Sequence, residues 1–109
     1  TLYCEKLSAG FLNRLERYAG QLKVAPLSVS FKDYKAKWGC CDGYNNIVFN
    51  YRLLMLPEDL QDYVAVHELC HIIKHDHSAK FWKEVAALVP DFLNKRKRLN
   101  YYSFLNSMY

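Results

Sequence analysis

A chain of 109 residues, 51% of them hydrophobic, is long enough to bury one core and too short for two ordinary domains. It contains no run of about 18 apolar residues, so we expect no membrane-spanning helix. Its formal net charge of +4 is only mildly basic and does not by itself identify a partner.

The four cysteines form no C-x-x-C pair, which argues against a zinc ribbon and against a disulfide framework. A reducing compartment fits this usage better, so the sequence predicts a cytoplasmic protein. We expect one domain over residues 1–109, cut from a longer chain because it begins in the middle of a polar segment.

The N-terminal half predicts one helix followed by a small sheet. Apolar residues recur at helical spacing over residues 7–22, with Ser8 as a plausible N-cap. Alternation over residues 27–31 predicts a strand, and further strands are expected over 36–41 and 47–51. We interpret the three as an antiparallel meander.

The C-terminal half predicts three helices. Pro57 is expected to begin the first, which runs to about Lys74. The second has Trp82 on an apolar stripe and is closed by Pro90. The third is predicted over residues 91–107.

The central helix contains the pentapeptide His67-Glu68-Leu69-Cys70-His71, an H-E-x-x-H motif in apolar surroundings. His67 and His71 are four residues apart, about 40° around the helix axis, so both imidazoles can reach one metal ion. Glu68 lies on the same side, where its carboxylate can take a proton from a metal-bound water without being a ligand.

A catalytic zinc usually has three protein ligands and one open position. The Lys-His-Asp-His-Ser string at residues 74–78 predicts a helix end followed by a new cap. We therefore favour His77 as the third ligand, presented at the start of the next helix. His75 is the alternative, or else a residue at the rim of the pocket.

Four consecutive basic residues in the last helix supply much of the positive charge: Lys95, Arg96, Lys97 and Arg98. Such a run is usually a solvated face, and contact with nucleic acid through these side chains is the alternative.

Four segments of the chain together resemble the YgjP-like metallopeptidase domain family and, more distantly, SprT-like proteases. They read KWGCCDG, IVFNYRL, PEDLQDYVAVHELCH and HSAKFW, and they span residues 37–82. The resemblance implies a zincin-like α+β fold, with a small sheet over the metal helix, and it supports His77 over His75. Lys37 and Cys40 depart from the family pattern, which usually has Arg and Ser there.

The leading hypothesis is a zinc-dependent metallohydrolase, most simply a peptidase acting on peptides or proteins. Zn²⁺ bound by His67, His71 and His77 would activate water, with Glu68 as general base. An exposed edge of the sheet would hold an extended peptide by strand addition. The candidates for stabilising the oxyanion are Arg52, His75, Tyr101 and Tyr102.

Two alternatives remain at this stage. A metal-dependent phosphohydrolase would act on nucleotides, although no glycine-rich phosphate loop is present. A SprT-like, nucleic-acid-associated protease or binding domain would use the basic residues of the last helix. Metals other than zinc also fit imidazole ligands.

Overall fold

The computed structural model describes residues 2–34 and 37–102, with side chains from residue 6 onward. Over these residues the chain forms four α-helices, three strands and one 3₁₀ helix. In chain order they are α1 (Leu2–Leu22), β1 (Ser28–Lys32), β2 (Gly39–Cys41), β3 (Asn46–Asn50), the 3₁₀ helix (Tyr51–Met55), α2 (Glu58–Ile73), α3 (Ala79–Leu88) and α4 (Phe92–Leu99). No helix in this described part of the chain is long and apolar enough to cross a bilayer.

The sheet is mixed, so the predicted antiparallel meander is wrong for β1. β2 and β3 form an antiparallel hairpin, whereas β1 pairs with the opposite edge of β3 in parallel, giving the order β1-β3-β2. The prediction assumed that consecutive strands are neighbours, which is usual but not required. The tight turn before β3 fixes the hairpin, because the Asp42 carboxylate accepts hydrogen bonds from the backbone N–H groups of Tyr44 and Asn46.

Two helix boundaries also differ from the predictions. α1 begins at Leu2, so Ser8 lies inside the helix and is not its N-cap. α4 ends at Leu99, where the N–H groups of Tyr101 and Tyr102 bond to carbonyls three residues earlier and tighten the chain into turns. The remainder of the predicted last helix, residues 103–107, lies outside the described residues.

Helix α2 lies at the centre of the molecule and contacts α1, α3, α4 and β2. It is buried on almost every side rather than along one stripe, as expected of a helix inside a core. Its buried residues are Leu60, Gln61, Tyr63, Val64, Ala65, Val66, His67, Glu68, Leu69 and Cys70.

The first turn of α2 is fixed by polar contacts from α1. The Arg14 guanidinium donates to the carboxylates of Glu58 and Asp62 and to the Gln61 side-chain oxygen. Tyr18 donates its hydroxyl to Asp62 as well. Because a helix is stiff along its length, these contacts at one end also set the direction of the residues two and three turns further on.

Asn50, at the end of β3, is completely buried and clamps the chain between β1 and β2. Its side-chain nitrogen donates to the carbonyls of Tyr34 (2.9 Å) and Lys37 (2.8 Å), and its oxygen accepts from the Arg52 N–H at 3.0 Å. One amide thus satisfies two carbonyls in the segment that leads into β2 and one N–H in the 3₁₀ helix after β3.

We expect Asn50→Asp to lower the free energy of unfolding by about 2–4 kcal/mol, because two partly buried carbonyls would lose their donors and face a buried carboxylate instead. Urea denaturation measures the change. Asn94→Asp is the matched control, since Asn94 is exposed on α4 and should tolerate the same substitution. Equal stability of the two variants would contradict the proposed role of the clamp.

Candidate metal centre

Three imidazoles converge where α2 ends. His67 and His71 follow each other on α2 with ring centroids 4.9 Å apart. The His77 ring lies 5.3 Å from the first and 4.7 Å from the second. One ligand atom from each of the three residues falls within 4.8 Å of the other two, as a single ion would require.

The turn between α2 and α3 brings His77 to the other two histidines. Lys74 caps α2 in an extended conformation, with its N–H bonded to the Cys70 carbonyl. The chain then reverses, and the Asp76 carboxylate accepts a hydrogen bond from the Ser78 N–H at 3.0 Å. Ser78 is the N-cap of α3, so His77 lies immediately before the helix.

Aromatic rings from α3 pack against the three imidazoles. Phe81 is fully buried and stacks on His71, with centroids 4.4 Å apart and planes inclined by 22°. It also meets the edges of His67 and His77, at 5.0 and 5.1 Å. Trp82 packs less closely, with its ring centroid 6.0 Å from that of His67 and 5.9 Å from that of His77. These contacts restrict the rotamers of all three histidines.

The donor set fits a divalent transition metal. The Lys74 carbonyl accepts a hydrogen bond from Nδ1 of His71 at 3.1 Å, so that nitrogen carries the hydrogen and Nε2 keeps its lone pair. Nε2 of His77 is buried and has no hydrogen-bond partner among the described residues. Burial lowers the pKa of both His71 and His77, and the neighbouring His67 adds to the effect. The lowered pKa favours the neutral imidazole, which is the form that binds metal ions.

Glu68 is buried beside this cluster, with only 2% of its surface exposed. Its carboxylate lies 3.5 Å from Nδ1 of His67. Strand β2 lies close to the Glu68 side chain. A methyl group added at Gly39 would be only 3.3 Å from Cγ of Glu68. Burial, with the Glu68 charge as a second cause, raises the pKa of the Cys41 thiol to about 12. Cys41 is therefore a protonated thiol within electrostatic range of Glu68.

None of the other residues considered from the sequence belongs to the group of three imidazoles. His75 is exposed on the turn and is not part of the group. Arg52 is exposed and 3.9 Å from the Asp33 carboxylate, and Tyr101 and Tyr102 are exposed in the turn after α4. Cys70 is fully buried in the core.

The basic residues of α4 are mostly engaged within the protein. The side chains of Lys95 and Arg98 both bind the Asp59 carboxylate of α2, and Arg98 is the main cause of the lowered pKa of that carboxyl. Arg96 contacts the Trp82 ring, and only Lys97 is exposed. These contacts give no support to nucleic-acid binding through the four residues, which stays a prediction.

Sequence reasoning missed two residues that the fold brings close to the centre. Arg96 was interpreted as one of four equivalent surface charges, although its i, i+4 spacing from Phe92 was a signal that both could meet the same partner. Tyr34 was not considered. Its pKa is raised mainly by burial, then by the Cys40 thiol and by the Glu68 charge, so Tyr34 lies within electrostatic reach of the acid.

Comparisons with known proteins agree with this geometry. The profile of the family described as YgjP-like, metallopeptidase domain, matches residues 1–102. The crystal structure of the metallopeptidase zymogen abylysin of Pyrococcus abyssi is similar, with a TM-score of 0.74 and 24% identity over 82% of this chain and 90% of that chain. The zymogen of Methanocaldococcus jannaschii jannalysin gives a TM-score of 0.63 and 21% identity over 71% and 79% of the two chains. No curated protein sequence gives a significant match.

At these identities the two structures show the fold alone, and they confirm the predicted zincin-like α+β fold. The profile match confirms the resemblance to the YgjP-like family. The likeness to SprT-like proteases stays a prediction.

We expect His77→Ala to weaken zinc binding by more than about 100-fold, because it removes one of three ligands and even outer hydrogen-bond partners of a zinc site contribute 10- to 100-fold. Competition with a chromophoric chelator measures the affinity. His75→Ala removes the same side chain from the same turn and should leave the affinity nearly unchanged. The opposite ranking of the two variants would identify His75 as the ligand.

Proposed function

The chain belongs to the YgjP-like metallopeptidase domain family, and we propose that it is a zinc-dependent peptidase in which Glu68 is the general base. The family supports a metal-dependent peptidase, and the use of zinc and the role of Glu68 are our inferences. The observation that carries them is the convergence of three imidazole donors beside a buried carboxylate.

His67, His71 and His77 would hold the metal ion. When bound, zinc supplies a Lewis acid that polarises the scissile carbonyl and acidifies the attacking water. The three histidines are well suited to this, because their rings are already packed against Phe81 and one of them is oriented by the Lys74 carbonyl. Little rearrangement would be needed on binding.

Glu68 would move the protons. It follows His67 directly on α2, so its carboxylate lies beside the ligands without having to be one. It would accept a proton from the attacking water and then donate it to the nitrogen of the leaving amine. Gly39 and the body of α2 confine its side chain, so that few rotamers are open to it.

Strand β2 supports an extended peptide as the substrate. Within the described residues it is an edge of the sheet, bonded to β3 on one side, and its first residue, Gly39, lies close to the Glu68 side chain. A peptide added along this edge would therefore run past the carboxylate. This part of the proposal depends on the observed order of the sheet, because the predicted meander would have placed β2 in the centre, between β1 and β3.

No contact in the described part of the chain favours the two alternative activities. Hydrolysis of nucleotides and nucleic-acid-associated proteolysis both depend on free basic side chains, and two of those on α4 are held by Asp59. Parallel assays with a casein-like protein and with nucleotides separate a peptidase from a phosphohydrolase.

We expect Glu68→Gln to lower kcat by about 10²- to 10⁴-fold while zinc content stays stoichiometric, because the amide cannot accept the proton of water. Peptide hydrolysis and elemental analysis of the same preparation provide the two readings. Glu16→Gln, on the exposed face of α1, should change neither. Undiminished hydrolysis in the Glu68 variant would reject the general base.

We expect Gly39→Ala to reduce hydrolysis about tenfold with zinc affinity retained, because the new methyl group would crowd the Phe49 ring, the Val48 carbonyl and Glu68 and shift them by a few tenths of an ångström. Steady-state kinetics measure the loss. Gly43→Ala is the control, since a Cβ there meets no atom within 4 Å. Activity equal to the unmodified protein in both variants would show that Glu68 is not confined by β2.

A further inference from the structure

The four basic side chains of α4 have different surroundings, and Arg96 is the unusual one. Lys95 and Arg98 are neutralised by the Asp59 carboxylate, and Lys95 also lies 3.1 Å from Asp91. Lys97 is exposed to solvent. Arg96 is half-buried and forms no ion pair with any residue in the described ranges.

The Arg96 guanidinium lies over the Trp82 ring, 5.4 Å from the centroid. Phe92, one turn earlier on α4, stacks on the same indole at 5.2 Å. The indole in turn contacts His67 and His77, at 6.0 and 5.9 Å between centroids. The Trp82 side chain thus connects the arginine to two of the three imidazoles.

The charge of Arg96 also acts on residues of the candidate metal centre. It contributes to the lowered pKa of His77, after burial and the other two histidines. At Tyr63, on α2 one turn before His67, it opposes the rise in pKa that burial causes. The guanidinium therefore lies within electrostatic range of two side chains that border the site.

A guanidinium that is held by a ring keeps its N–H donors for another partner. Contact with an aromatic face uses the charge of the cation and not its hydrogen bonds. The fork of donors matches the two oxygens of a carboxylate in shape and charge. The carboxylates that bind α4 are already engaged, since Asp59 is shared by Lys95 and Arg98 and Asp91 is paired with Lys95. An anion that binds Arg96 would therefore come from outside the described residues.

We propose that Arg96 binds a carboxylate of the peptide substrate and so determines which peptides are bound beside the metal centre. This assignment rests on the proposed peptidase function. The carboxylate is either the C-terminus of the substrate or the side chain of an aspartate or glutamate close to the scissile bond. The first source makes the protein prefer free peptide ends, and the second makes it prefer acidic internal sequences.

The test measures binding separately from hydrolysis. Zinc-loaded protein carrying Glu68→Gln, which should not turn over peptides, is titrated by calorimetry with three acetylated five-residue peptides. They are penta-alanine as the free acid, penta-alanine as the C-terminal amide, and the amide with one internal glutamate. If Arg96 forms a bidentate, charge-assisted contact with a carboxylate, at least one of the carboxylate peptides should bind about 10- to 100-fold more tightly than the plain amide.

Matched variants assign that preference to the residue. Arg96→Gln should remove it, whereas Lys97→Gln, which removes the same charge from the next position, should retain it. Arg96→Lys keeps the charge and the contact with Trp82, so it should fold normally and retain only part of the preference. Circular dichroism and zinc content exclude a folding defect. The relative affinities of the three peptides identify the source of the carboxylate.

Three outcomes would overturn the proposal. The first is equal binding, or no binding, of all three peptides by protein with Arg96 intact. The second is an equal loss of preference in the Lys97 variant. The third is a single-stranded oligonucleotide that binds through Arg96 while carboxylate peptides do not, which would assign the guanidinium to phosphate. Failure of the peptidase proposal would appear differently, as absence of hydrolysis in protein that still distinguishes the peptides.

Discussion

The burial of α2 is the constraint on which the rest of the structure depends. A helix surrounded by α1, α3, α4 and β2 has to place His67 and Glu68 in a core, and polar groups removed from water are costly unless they are bonded, paired or bound to metal. Each surrounding element contributes something to that requirement. Helix α1 fixes the start of α2, the turn before α3 returns His77, and α3 supplies the aromatic rings that pack against the imidazoles.

The helical part of this arrangement could be read from the sequence. The i, i+4 spacing of His67 and His71 is a local property that survives any packing, and the Lys-His-Asp-His-Ser string correctly predicted the end of one helix and the cap of the next. The position of His77 next to the other two rings follows from that turn. Which imidazoles hold a metal, and what Glu68 does beside them, stay predictions.

The long-range contacts could not be read in the same way. Strand order depends on which edge of β3 offers the better partner, and an alternating pattern in residues 27–31 is the same for parallel and antiparallel pairing. The sequence also did not show which basic side chains of α4 are paired within the protein. That pairing depends on Asp59, which lies 36 to 39 residues earlier in the chain. The end of α4 at Leu99 could not be predicted either, because no glycine or proline follows it in the sequence.

The shortness of β2 limits how a polypeptide can be held at this edge. The strand has three residues, and in a ladder only every other residue turns its backbone groups toward a given neighbour. An incoming chain would find main-chain partners for about two of its own residues there, too few for tight binding by backbone alone. So short an edge also offers few backbone hydrogen bonds to a strand of another copy of the molecule, which lowers the tendency to aggregate through the sheet. Recognition at such a strand has to depend on side chains and chain ends rather than on the length of backbone engaged.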